Sequence, residues 1–185
     1  MSLPLTAAQE NELCLQMLSL EYAESLFQLI DSNRTYLSQW LNWLDLTQSI
    51  DDTVRFIKIS MEQANKGIGA QYLILTQQQP CGIVSFNRIE NTNRIGYIGY
   101  WLAAPYTGKG IMTSAVARLL ELGFEQLQLN KIEIRCAQEN RKSQAIPERL
   151  GFHFDAILRQ NEYLHGRFVD HRVYSLLKSE FRQKQ

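Results

Sequence analysis

A chain of 185 residues, 45% apolar and 21% charged, can bury a sizeable core, and we expect one domain spanning residues 1–185. Nineteen Lys and Arg balance nineteen Asp and Glu, so there is no basic excess to hold a nucleic-acid backbone. No apolar run approaches membrane-spanning length, so neither nucleic acid nor membrane is an expected partner.

The start, Met1 to Asn11, is polar and lacks the apolar core of a secretion signal. Leu13, Leu15 and Met17 then alternate with polar residues and predict a first strand with one buried face. Ser19 opens a helical segment carrying Tyr22, Leu26, Leu29 and Ile30. Asn33 starts a second, with Tyr36, Leu37, Trp40 and Leu41 on one side. Ser49 with Asp52 resembles a capping box for a third helix, whose stripe is Val54, Ile57, Met61 and Ala64 and whose stop is Gly67. The middle is strand-rich: Tyr72–Leu75, Gly82–Phe86 and Ile95–Leu102 are separated by the polar turns Gln77–Pro80 and Asn91–Asn93, which favours antiparallel neighbours. Gly110 leads into a helix with Ala115, Leu119, Leu122 and Leu127. An alternating strand follows (Ile132, Ile134, Cys136), then a short helix from Arg141 to Leu150 and two last strands near Ala156–Leu164 and Phe168–Leu177. This order predicts a mixed α/β sheet flanked by helices. The three cysteines, Cys14, Cys81 and Cys136, are odd in number, far apart and set in apolar strands. They read as reduced residues of a cytoplasmic protein, with no metal-ligand spacing.

Two stretches carry chemistry. In the first, a strand with two glycines (Gly96, Gly99) runs through Trp101 and Leu102 to Pro105-Tyr-Thr107-Gly108-Lys109-Gly110-Ile111-Met112. Glycines inside a strand mark a bulge or a close backbone approach. The Gly108-Lys109-Gly110 turn exposes backbone N–H groups at the positive end of a helix, a seat for a pyrophosphate, and Lys109 would add a point charge. On Gly-x-Gly alone, a plain strand-to-helix turn explains as much. A dinucleotide fingerprint fails because its third glycine would fall at Thr113. A P-loop fails because Ala103 and Gly110 stand where a glycine and a Ser or Thr belong. In the second stretch, Asn140-Arg-Lys-Ser143-Gln-Ala-Ile-Pro147-Glu-Arg-Leu-Gly151-Phe152, Asn140 is suited to cap the helix. Pro147 cannot donate to the carbonyl of Ser143.

Taken together, strand, Gly-x-Gly, helix, strand, Asn-x-x-Ser, helix and Gly-Phe resemble the GNAT acetyltransferase superfamily. Ile98–Leu102, Gly108–Met112, Asn140-x-x-Ser143 and Asn161-Glu162-Tyr163-Leu164 resemble its Rim-type ribosomal-protein N-acetyltransferases. The likeness runs from about Leu13 to the last strand, with Pro105 a departure from the commoner Gln or Arg. It implies a mixed, mostly antiparallel sheet splayed in its middle, with acetyl-CoA as co-substrate and no metal. Backbone groups of Trp101 and Leu102 would pair with the pantetheine arm, amides from Thr107 to Met112 would hold the pyrophosphate, and Asn140 would line the same cleft. The resemblance makes Glu162 the base that takes the amine proton and Ser143, close to the sulfur, the acid that protonates the thiolate, while a backbone N–H near Leu102 stabilises the oxyanion.

For each of these residues a plainer explanation exists. Read alone, Glu162 is a solvated strand charge; Glu90, beside a turn, is a weaker candidate base. His165 sits at a hairpin tip, and His153 and His171 lie in polar surroundings, so surface roles are expected for all three. A covalent acetyl-cysteine at Cys136 is disfavoured, since burial leaves a thiol inert. The aromatic segment Asn33–Trp43 is expected to form one wall of the acceptor site, with helix-to-sheet packing an equal account of Trp40. An α-amine titrates near ~8 and a lysine amine near ~10.4, so an N-terminus is several hundred-fold richer in its reactive form at neutral pH. A protein N-terminus, as of a ribosomal protein, is therefore the leading acceptor. A small amine such as a polyamine, an antibiotic or an amino-acid analogue comes second, and a non-catalytic acetyl-CoA sensor third. A homodimer touching through the Tyr163–Phe168 hairpin is a further expectation.

Overall fold

A computed structural model describes residues 13–183. The reading of the Met1–Asn11 segment therefore falls outside the described residues. Seven strands form one sheet in the order β1-β2-β3-β4-β5-β7-β6, with β1 Leu13–Met17, β2 Ala70–Thr76, β3 Gln79–Glu90, β4 Ile95–Leu102, β5 Lys131–Ala137, β6 His153–Leu164 and β7 Arg167–Leu177. Six helices flank it: α1 Ala23–Ser32, α2 Arg34–Leu37, α3 Ile50–Asn65, α4 Ile111–Glu121, α5 Arg141–Arg149 and α6 Lys178–Arg182. Among the described residues, only the β4–β5 pair is parallel. The mixed, mostly antiparallel sheet expected from the sequence is the one observed.

Strand alternation sorts the apolar residues onto two faces. Val84, Phe86, Ile98, Ile132 and Ile134 pack on one face with Ala115 and Leu119 of α4. Leu73 and Ile83 pack on the other with Leu26 of α1 and Ile57 of α3. Each such fully buried side chain contributes roughly 1.5–3 kcal/mol, and both layers are continuous along β2 and β3.

Local chemistry explains the boundaries. Ser49 and Asp52 make the reciprocal capping box that starts α3. Its buried stripe is Thr53, Ile57 and Ser60, and Met61 stays 38% exposed, one position off the expected face. The β2–β3 turn is tighter than the four-residue reading: Gln77 and Gln78 both take positive φ, the hairpin conformation, and Pro80 already lies in β3 beside a bulge. The second predicted helix is only the four-residue α2, followed by a 3-10 turn over Asn42–Leu46. Asn33 does not cap it by side chain. Its Oδ1 instead accepts from the Ala104 amide at 3.0 Å, tying the α1–α2 corner to the end of β4. After α4 the chain widens into a π turn, Leu122–Gln126, and Leu127 emerges to 43% exposure.

Candidate active site

β4 and β5 are hydrogen-bonded only over Ile95–Ile98 and Lys131–Ile134. Beyond that point β4 stays with β3 and β5 stays with β7, so the strands part. Two side-chain features mark the parting. Asn87 is a bulged residue in β3, opposite the last shared β4 positions, and a bulge raises local twist. Tyr100, two residues past Ile98, reaches from β4 to α5, where its hydroxyl donates to the Ser143 carbonyl at 2.9 Å. The Gly99–Leu102 edge consequently faces a gap rather than a strand.

That gap opens into a cavity of about 1340 Å³. One wall is the β4 edge with Trp101 and Leu102, and the turn below it brings in Thr107, Gly108 and Gly110. Gly108 and Gly110 both hold positive φ (75° and 76°), and neither would meet a neighbour on gaining a Cβ. Their requirement is therefore conformational rather than steric. The first helical bond of α4 is Ser114 N–H to the Gly110 carbonyl, which leaves the amides of Ile111, Met112 and Thr113 as the free donors of a helix start, an arrangement suited to an anion. Ile111 and Met112 line the cavity. Lys109 does not: its ammonium sits 5.8 Å from the Tyr106 ring centre. The lysine and arginine side chains that do reach the cavity are Lys142 and Arg149 of α5, Arg135 of β5 and Arg55 of α3, with Arg149 donating to Thr113 Oγ1 at 3.2 Å.

On the far wall, Asn140 caps α5 by accepting the Ser143 amide at 3.1 Å, as the sequence predicted. The cap fixes the first turn and with it Ser143, whose hydroxyl stands 3.2 Å from Cys136 Sγ and 3.3 Å from the Tyr100 hydroxyl. Burial raises the Tyr100 phenol well above its ordinary range, and the neighbouring Cys136 adds to this. Burial likewise raises the Cys136 thiol, only partly offset by its hydrogen bonds to Ser143 and Tyr100. Both groups are therefore protonated at neutral pH, which agrees with the expectation of an unreactive thiol. Cys136, 3% exposed, is nonetheless part of the cavity wall and not merely core.

Glu162 reaches the cavity from β6, and a bulge explains how. Between the pairs Leu158–His171 and Glu162–Val169, three β6 residues face a single residue of β7, with Gln160 at positive φ and its amide bound to Asp170 Oδ1 at 2.8 Å. Glu162 is then 22% exposed and accepts a hydrogen bond from His171 Nε2 at 2.9 Å. The surface role expected for His171 is corrected here: its side chain is 13% exposed and borders the cavity. No sequence signal pointed to it, because alternation does not reveal a bulge. His153 and His165 are exposed as expected. His153 pairs with Asp155, and His165 lies 2.6 Å from the Ser38 carbonyl at the hairpin tip. Glu90 is not brought to the cavity. It is held in the β3–β4 turn by Arg88 at 3.3 Å, the Asn93 amide and the Tyr97 hydroxyl.

The aromatic segment forms the remaining wall through Tyr36, Trp40 and Trp43, with the Trp43 ring 6.2 Å from that of Trp101. Trp40 also packs on Ala137, Leu164 and Val169, so it both lines the cavity and packs on the sheet. Tyr163 and Phe168 contact each other on the neighbouring hairpin and remain 58% and 60% exposed. Among the described residues, no cluster of metal-ligating side chains exists and no helix is long and apolar enough to cross a membrane.

Comparison with known proteins adds to this geometry. Residues 12–153 match the family model for an acetyltransferase (GNAT) domain. The ribosomal-protein-serine acetyltransferase of Escherichia coli (strain K12) is 32% identical over 174 residues, 94% of this chain and 92% of that protein. Among solved structures, the ribosomal L7/L12 alpha-N-protein acetyltransferase RimL, in complex with coenzyme A as a disulfide to one of its cysteines, superposes with a TM-score of 0.91 at 28% identity, covering 97% of this chain and 99% of that one. The microcin C7 self-immunity acetyltransferase MccE, in complex with acetyl-CoA and AMP, superposes at 0.85 with 34% identity, covering 90% and 92%.

Proposed function

This chain belongs to the GNAT acetyltransferase family, and from that premise we propose that it moves the acetyl group of acetyl-CoA to the α-amine at a protein N-terminus, in the first place that of a ribosomal protein. The observation that carries the reading is the convergence of Glu162 from β6 and Ser143 from α5 on one cavity that also holds a helix start suited to an anion. A ribosomal acceptor would place the enzyme in the cytoplasm.

The residues fit the co-substrate. The unpaired β4 edge at Trp101 and Leu102 offers amide and carbonyl groups to the pantetheine arm, as an added strand would. The α4 amides and the positive charges of α5 suit the phosphates. The neutral amine attacks the thioester carbonyl carbon, forming the C–N bond, and Glu162 takes the amine proton. A backbone N–H of the β4 edge stabilises the oxyanion. As the C–S bond breaks, Ser143 gives its proton to the sulfur, in contact with the buried Tyr100 hydroxyl. A carboxylate is a weak base, which matches an α-amine better than a lysine.

A thiol-release assay tests this. With acetyl-CoA, peptides beginning with Ser or Ala should release CoA and polyamines should not. Release with small amines alone would replace the acceptor class. Binding without release for every acceptor would leave a sensor. Glu162→Gln should lower kcat about 10²–10⁴-fold with CoA affinity unchanged by calorimetry. A full rate in that variant would remove Glu162 as the base.

A further inference from the structure

We propose that His171 is the positioning residue of the acceptor base, its Nε2–H holding one oxygen of Glu162 so that the other meets the incoming amine. This rests on the reading of Glu162 given above and adds a residue to it.

The geometry is specific. Oε2 of Glu162 lies 2.9 Å from His171 Nε2. On the other side of the ring, Nδ1 lies 3.2 Å from the Asn161 amide nitrogen. An amide nitrogen only donates, so Nδ1 must be the acceptor. The neutral imidazole is then the Nε2–H tautomer, which donates to the carboxylate. The sequence neighbours Asn161 and Glu162 thus grip the two nitrogens of one ring.

The support beneath the ring is equally fixed. His171 sits in β7, paired through its backbone with Ala137 of β5 and with Leu158 of β6. The β6 bulge shifts Glu162 to face Val169, which makes it the diagonal neighbour of His171 on the same sheet face. Glu162 by contrast is a long side chain on an edge strand next to a bulge. Without a partner, its carboxylate would sample several rotamers. Misplacement of a reacting group by about 1 Å is enough to cost ~10²-fold in rate. A contact serving only the sheet would not require both groups to border the cavity, as they do.

The experiment is a double-mutant cycle on turnover. His171→Ala should lower kcat about 10–100-fold with unchanged CoA affinity and an unchanged urea midpoint. His171→Gln, whose amide N–H reaches a similar point, should recover most of the rate. In a Glu162→Gln background, His171→Ala should cost nothing further, because the group it positions is gone. If the alanine variant does not fold, His171→Met is read by the same criteria. The proposal is overturned if His171→Ala keeps its rate while Glu162→Gln loses it, or if the two losses multiply. A full rate in Glu162→Gln would instead overturn the base itself, a separate failure.

Discussion

The two halves of β4 have neighbouring sequences and opposite fates. Ile95–Ile98 is paired on both sides and lies in the layer under α4; Gly99–Leu102 is paired on one side and borders the cavity. Composition does not separate them, since each half contains one glycine and one or two aromatic residues. What differs is the neighbour. A parallel partner continues only as long as nothing forces it away, and here the Asn87 bulge and the Tyr100 bridge to α5 stand where the pairing stops. The cavity-facing edge of β4 is thus a piece of ordinary sheet whose last partner has been withheld.

The sharpest way to break that comparison is to damage each half separately, and β3 and β4 provide a glycine for each. A Cβ at Gly82 would collide with the Trp101 carbonyl oxygen and come within 3.0 Å of Leu102 Cα, so the obstacle is backbone of the cavity-facing half. Gly82→Ala should therefore destabilise by about 3 kcal/mol. The protein that still folds should bind CoA at least tenfold more weakly, measured by calorimetry. At Gly96, in the sealed half, a Cβ would meet the Leu129 Cδ1 at 2.7 Å and the Phe86 Cε1 at 2.9 Å, both side-chain atoms of the buried layer. Gly96→Ala should cost about 1–2 kcal/mol in urea unfolding while CoA affinity and kcat stay at wild-type values. Equal loss of CoA affinity in both variants would show that the two halves are not independent.

The sealed half was the more legible in sequence. Apolar alternation in Leu13–Met17 and Ile132–Cys136 and the apolar run Tyr72–Leu75 point to strands, and Ser49, Gly110 and Gly151 mark helix ends, because these are local signals with local causes. The cavity-lining residues of β4 and α4 are legible only jointly, through the family pattern, and Lys109 lies off the cavity. A basic residue between two glycines looks like a phosphate ligand, yet the turn points it toward Tyr106. The acceptor side was least legible. His171 and Glu162 meet across a bulge with two extra residues, and the residue at positive φ there is a glutamine rather than a glycine or asparagine. Tyr100 lay inside a quoted motif, but its partner Ser143 is 43 residues away. Such pairings arise from tertiary geometry, which one sequence does not display.

The two buried cysteines offer a gentler test of the same division. Cys81 is fully buried in β3, its thiol 3.3 Å from the Ile74 carbonyl, and burial pushes it from an ordinary 9.0 up to about 11. At pH 8 only about one Cys81 in a thousand is then a thiolate, the form that reacts. Burial raises Cys136 in the same direction, yet its sulfur borders the cavity. A disulfide-forming thiol reagent at pH 8 should therefore modify the half-buried Cys14 first and Cys136 more slowly, with coenzyme A protecting it; Cys81 should react only on unfolding. The linked effect on stability has a definite sign. Between pH 9 and about 11 the unfolded Cys81 thiol ionises while the folded one keeps its proton, so the urea midpoint should fall as pH rises through that window. Cys81 labelled as fast as Cys136, or Cys136 indifferent to coenzyme A, would overturn the assignment of Cys136 to the cavity wall and of Cys81 to the closed interior of β3.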